Sequence, residues 1–218
     1  MRHQLLDYYQ AALAKLGPQH WWPGETPFEV CVGAILTQNT NWTNVEKAIA
    51  NLKKEGLLEP KKLYAVAPSH LASLIRPAGY FNIKTRRLRS FLKFLIDEYD
   101  ADLDRMFAER TEGLREKLLS VKGIGPETCD SILLYAGNKP IFVVDAYTKR
   151  IFTRHQVLTE EADYHEIQEY FENHLPDTRS NLYNEFHALI VNIGKNWCKS
   201  RQPDCGHCPW EKFLPGKR

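Results

Sequence analysis

The chain has 218 residues, enough to bury a core as one domain or two small ones, and its 29 Lys and Arg stand against 27 Asp and Glu for a formal charge of +2. That balance does not announce a nucleic acid or membrane surface as partner, so any basic surface must be local. No stretch approaches about eighteen apolar residues and the N-terminus lacks a signal h-region, so the expectation is a cytosolic protein without a membrane span. Five cysteines, three of them crowded near the C-terminus, favour a metal or cluster over a disulfide framework.

In chain order, Leu5, Tyr8, Tyr9, Ala12, Leu13 and Leu16 predict an amphipathic helix stopped at Gly17-Pro18. Trp21-Trp22-Pro23-Gly24 reads as a rigid aromatic loop. Thr26-Pro27-Phe28-Glu29 reads as a capping box, with Pro at the first helical position. The helix it opens carries Val32, Ile35 and Leu36 to Gln38-Asn39-Thr40, and a second runs from Asn41 to about Lys54 with Val45, Ala48, Ile49 and Leu52 inward. Further helices are expected at 60–66 and 69–75, then a loop at 76–81. A long helix follows, with Leu88, Phe91, Leu92, Leu95 and Ile96 on one face. Its first turns hold Lys84, Arg86, Arg87 and Arg89, either a solvated face or a local footprint for phosphates. Near the C-terminus, Asp163 to Glu166 looks like another capping box, and Leu182, Phe186, Leu189, Ile190 and Ile193 stripe a last long helix closed by Gly194. The pattern is all-α, with no internal repeat.

The most informative stretch runs from Leu118 to Asp145. Val121-Lys122-Gly123-Ile124-Gly125 allows a hairpin whose backbone amides, with the helix restarting at Pro126, form a site for an anion such as phosphate. Cys129, Ile132, Leu133 and Ala136 recur at helical spacing up to Gly137, and the apolar run 141–144 delivers a single acid, Asp145. By itself Asp145 reads as a helix cap before Ala146-Tyr147-Thr148. Cys31 and Cys129 sit on apolar helix faces as small core residues.

VKGIGPETC followed by VVDAYTKR resembles the hairpin and the following Asp of the helix-hairpin-helix DNA glycosylases of the endonuclease III superfamily, and the resemblance extends over most of the chain. It implies two helical lobes with a DNA-binding cleft between them. One is a helical barrel at 25–138 containing the hairpin; the other joins 1–24 to 139–218 and ends in a Cys-rich loop. The partner implied is double-stranded DNA with a flipped damaged base, bound by a monomer. Lys122, Gly123, Ile124, Gly125 and Thr128 would hold the backbone, aided by Lys84 and Arg86, and Gln38 of TQNTNW would enter the duplex where the nucleotide has left.

The same resemblance assigns Asp145 as the catalytic carboxylate, stabilising an oxocarbenium-like sugar and orienting water. Bifunctional relatives place a Lys directly before the hairpin Thr, where its amine forms a Schiff base. Here Glu127 precedes Thr128, so a monofunctional hydrolase is expected; Glu127 also suits the helix dipole as a first-turn acid. WWP, TQNTNW and VVDAYT resemble the alkylpurine branch, the 3-methyladenine DNA glycosylases, with Trp21, Trp22, Pro23, Trp42 and Glu127 around the base pocket. The aromatic faces suit an electron-poor base. A mismatch-type adenine or thymine glycosylase, an oxidised-base glycosylase and a non-catalytic helix-hairpin-helix DNA-binding module are the alternatives. Cys198, Cys205 and Cys208 match three of the four positions of the family's Cys-x6-Cys-x2-Cys-x5-Cys loop for a 4Fe-4S cluster, and the fourth falls on Leu214. A three-thiolate cluster, zinc with His207 nearby, and a loop without metal all remain open.

Overall fold

The computed structural model describes residues 5–19, 21, 24–175 and 180–216. Among these the chain is helical, with no strand. The helices are α1 (Leu5–Leu16), α2 (Pro27–Leu36), α3 (Trp42–Lys54), α4 (Pro60–Ala65), α5 (Pro68–Leu74), α6 (Phe81–Tyr99), α7 (Leu103–Phe107), α8 (Thr111–Ser120), α9 (Pro126–Ser131), α10 (Ala146–Arg154), α11 (Tyr164–His174) and α12 (Ser180–Asn196). Short 3-10 turns occupy Arg76–Ala78, Cys205–His207 and Glu211–Phe213. No helix among the described residues is long and apolar enough to cross a membrane.

Two compact units result: Trp22–Lys139, and Met1–Trp21 together with Pro140–Arg218. In the first, α2 is the central element, buried from Phe28 to Leu36. Thr26 starts it, its Oγ1 accepting from the Glu29 amide at 3.1 Å. The expected capping box is half formed: the Glu29 carboxylate accepts from the Glu25 amide and meets Lys53 Nζ at 3.0 Å, because its buried position needs a cation. Helix α9 is pinned from within by a two-point pair. Arg115 Nε and Nη2 donate to the two oxygens of fully buried Asp130 at 2.7 and 3.1 Å.

The periodicity after Pro126 predicts one α-helix to Gly137, and the structure instead widens Ile132–Ala136 into a π-turn. There Gly137 N donates to Ile132 O at 3.1 Å. Gly137 is required at this point because a Cβ would stand 2.5 Å from the Phe107 ring.

The second unit is built on aromatics. Phe142 stacks on Phe171 with centroids 4.3 Å apart, Tyr8 meets Phe213 at 4.3 Å, and Phe152 packs edge-on to Phe171. Trp210 is wholly buried and donates its indole N–H to Tyr8 O at 2.7 Å, so the C-terminal loop is stitched to α1. The Asp163–Glu166 capping box forms in full. Gly194 does not close the last helix, which continues to Asn196. Its reason is packing: a Cβ there would overlap the Tyr147 ring.

Candidate functional site

The hairpin sits in the 22–139 unit between α8 and α9. Ile124 N donates to Val121 O at 3.0 Å, closing a tight turn, and Gly123 at its corner has φ +97°. Only glycine fits there, since a Cβ would also overlap Arg87 Cγ. Gly125 needs no such licence. It is an extended N-cap with φ −97° and open space around its missing Cβ. Lys122, Gly125 and Glu127 are exposed, whereas Ile124 and Thr128 are buried and hold the turn against the core.

Gln38 is brought to this hairpin from the end of α2. Its Nε2 donates to Gly123 O at 3.1 Å and to Thr128 Oγ1 at 2.8 Å, and its Oε1 accepts from Arg87 Nη1. Gln38, Gly123 and Thr128 therefore form one hydrogen-bonded group, joined by Arg87, which the sequence offered only as part of the basic cluster in the first turns of α6. Trp42 is half-buried at the first residue of α3.

Lys84 departs from its expected role. It is 1 % exposed, and its ammonium donates to Leu36 O at 2.8 Å and Ala78 O at 2.7 Å, capping the last carbonyls of α2 and of the 76–78 turn. An ammonium so enclosed cannot reach a phosphate, and the assignment of Lys84 to DNA contact is withdrawn. Arg86, by contrast, is exposed.

In the other unit, Asp145 caps α10. One oxygen, Oδ1, accepts from Thr148 N at 2.7 Å and Thr148 Oγ1 at 2.9 Å, and Oδ2 lies 3.6 Å from His187 Nε2. The side chain is 11 % exposed. Burial pushes this carboxyl up, but the His187 and Thr148 contacts outweigh it and hold it below the usual aspartate range. Cap and ionised carboxylate thus coexist in one side chain. The sequence reading missed His187. Its signal was the phase of α12, where 183, 187, 190 and 194 share the buried face. Trp21 carries Lys195 Nζ 5.6 Å from its ring centroid, and Trp22 and Pro23 lie outside the described residues.

Cys198, Cys205 and Cys208 line one pocket, together with Trp210, Arg154 and Leu214. Arg154 Nη1 donates to Cys198 Sγ at 3.2 Å, and Arg150 donates to Cys198 O from Nε at 3.0 Å and from Nη2 at 2.8 Å, tying α10 to the loop. A 4Fe-4S cluster would find three thiols here and, at the fourth position of the ligand spacing, a leucine with no donor atom. Among the described residues no three His, Cys, Asp or Glu side chains are grouped to hold a metal ion. The donor set as it stands does not fit a fully cysteine-ligated cluster.

An all-helical chain with a glycine hairpin and a helix-capping aspartate defines the helix-hairpin-helix class. The model of the HhH-GPD superfamily of base excision DNA repair proteins matches residues 32–177, and the chain belongs to that superfamily. It is 49 % identical over 98 % of its length to a Methanocaldococcus jannaschii protein provisionally named a DNA repair glycosylase, of which the match covers 93 %. It is 29 % identical to an endonuclease III of Sulfolobus acidocaldarius over 83 % of this chain and 78 % of that one. Among solved structures, the H. pylori 3-methyladenine DNA glycosylase bound to 1,N6-ethenoadenine superposes with a TM-score of 0.77 at 33 % identity, covering 88 % of this chain and 98 % of that one. A non-covalent endonuclease III–DNA complex shares the fold, with a TM-score of 0.84 at 20 % identity over 99 % of this chain and 95 % of that one.

Proposed function

We propose that this DNA glycosylase is monofunctional and hydrolyses the N-glycosidic bond of alkylated purines, 3-methyladenine and 7-methylguanine, in duplex DNA, leaving an abasic site. The observation that carries the reading is the Asp145 carboxylate, nearly enclosed yet held ionised by Thr148 and His187. Extruding the damaged nucleotide costs about a few kcal/mol. As the base then leaves, positive charge grows on the sugar, and a fixed carboxylate favours that charge in the transition state more than in the ground state. A carboxyl held below the usual range is a weak base, so Asp145 acts mainly by electrostatics and by orienting water rather than by removing a full proton.

Glu127, exposed at the start of α9, supports the monofunctional reading, since a carboxylate cannot form an imine. Alkylated purines carry positive charge and leave readily, so their excision needs aromatic faces and a carboxylate more than a strong general acid; Trp21, Trp42, Trp22 and Pro23 are the residues proposed to border the base. The likeness to the H. pylori enzyme supports this substrate class; a mismatch-type adenine or thymine, or an oxidised-base, glycosylase is the second reading, kept because other relatives are named only endonuclease III. Gln38 is proposed to enter the duplex after leaving its bonds to Gly123 and Thr128, and the hairpin amides to hold a phosphate. The Cys-rich loop is proposed to be structural, and the protein to act as a monomer on nucleoid DNA.

The test is release of methylated purines from alkylated duplex. Asp145→Asn is expected to keep duplex binding and lose base release by about 10²–10⁴-fold. Borohydride is expected to trap no covalent adduct with damaged DNA. A strong adduct, or release surviving in Asp145→Asn, overturns the reading.

A further inference from the structure

A groove in the 22–139 unit, which meets the Gln38 group at Gly123 and Arg87, is lined by Tyr64 of α4, by Thr85, Arg86 and Lys93 of α6, and by Lys122 and Gly123 of the hairpin. We propose that it is a second backbone-binding track, which carries the sugar-phosphate chain of the duplex onward from the hairpin along α6. The inference deepens the proposed function and rests on its DNA-repair reading.

The first observation is charge. Arg86, Lys93 and Lys122 are exposed along the groove, and among the described residues no Asp or Glu lines it. Arg87 and Arg89 line it as well but are already committed. Arg87 holds Gln38, and Arg89 donates to Tyr64 O at 2.9 Å and Val66 O at 3.1 Å with its guanidinium over the Tyr64 ring. They add positive field without having to move. The side chains of Arg86 and Lys122 have no hydrogen-bond or ion-pair partner among the described residues. Lys93 is satisfied only by exposed Asp97, a partner that competes weakly in water.

The second observation is a polar atom. Thr85 is 4 % exposed and lines the groove, and its buried Oγ1 has no hydrogen-bond partner among the described residues. A helical Thr hydroxyl commonly bonds back to the carbonyl one turn earlier, and this one does not. An unmet buried hydroxyl costs stability, which an acceptor oxygen brought into the groove would recover.

The third is shape. From Arg86 to Lys93 the cations extend over two turns, about 10 Å along α6, far enough apart to meet different phosphates of one strand. A small anion would use one end of such a track. A phosphodiester chain matches its length, its charge and its continuity with Lys122 and Gly123.

The experiment measures affinity for a labelled undamaged duplex against salt concentration, in the full chain. Arg86→Gln/Lys93→Gln is expected to flatten the slope of log affinity on log salt by about 2, at about 0.9 per phosphate contact, and to weaken binding at least tenfold (roughly) near 0.1 M salt. Arg86→Lys/Lys93→Arg keeps the charge and is expected to hold the wild-type slope. Thr85→Val is expected to weaken binding a few-fold (about 2–5) without changing the slope, with Thr85→Ser restoring it. A Gln pair that binds like wild type overturns the track while leaving the repair reading intact. So does poly-glutamate binding the wild type more tightly than the duplex does. A wild type that does not bind duplex DNA at low salt overturns both.

Discussion

Lys84 and Arg86 lie two residues apart on α6 and meet different surroundings because of helical phase. Position 84 falls in register with Leu88, Phe91 and Leu95 on the buried face, and position 86 does not. The enclosed ammonium is held down at about 8, first by burial and then by the Arg87 charge. The folded chain therefore releases this proton near pH 8 and the unfolded chain near the ordinary 10.5. Between those values the unfolded state binds more protons, so this group makes stability rise with pH, by about 3 kcal/mol over the window. Thermal melts from pH 7 to 10 should show that rise, and Lys84→Met should flatten it; an identical slope in the variant would refute the assignment. The phase that buries Lys84 was legible in the sequence, as was the Asp145 cap. His187 opposite Asp145 was not, because periodicity reports which face is inward and never which distant element it faces.

Among elements, α10 and α12 depend on each other through a glycine. Tyr147 follows the Asp145 cap by two residues and lies where any side chain at 194 would go. Gly194→Ala should cost about 1–3 kcal/mol by overpacking, read as a lowered urea midpoint. Gly206→Ala, whose Cβ meets nothing within 4 Å, should leave stability within about 0.5 kcal/mol of wild type. Sequence reasoning found this glycine and gave it the wrong task, since a Gly late in a helical pattern reads equally as a stop or as a contact. It also missed the π-turn at 132–136, because Ile132–Ala136 is an unbroken apolar and aromatic run in which no polar residue marks the phase. The helix starts fared better: Pro27, Pro60 and Pro126 each open a helix as read, having no amide to leave unpaired there, and α5 opens at Pro68, one residue before the expected 69.

For the whole molecule, the Cys-rich loop tests how far the family pattern holds. Its pocket has three thiols and Leu214. Leu214→Cys completes the four-thiolate spacing, and iron and sulfide per chain should rise over wild type on reconstitution; equal contents would mean that the loop geometry, not the missing thiol, limits binding. Meanwhile Trp210, Arg150 and Arg154 already join this loop to α1 and α10. Composition exposed little of this, as a net charge of +2 conceals a groove of like charges.

The bond from the Trp210 indole to Tyr8 also has a consequence for synthesis. Residues 22–139 form a contiguous unit that can gather its own core while still emerging from the ribosome. The first helix must wait for Phe152, His155 and Phe186 before its aromatic face finds partners, and for Trp210 and Phe213 before Tyr8 is fully covered, so nascent chains arrested before residue 210 should leave Tyr8 only partly protected from proteases and chaperones.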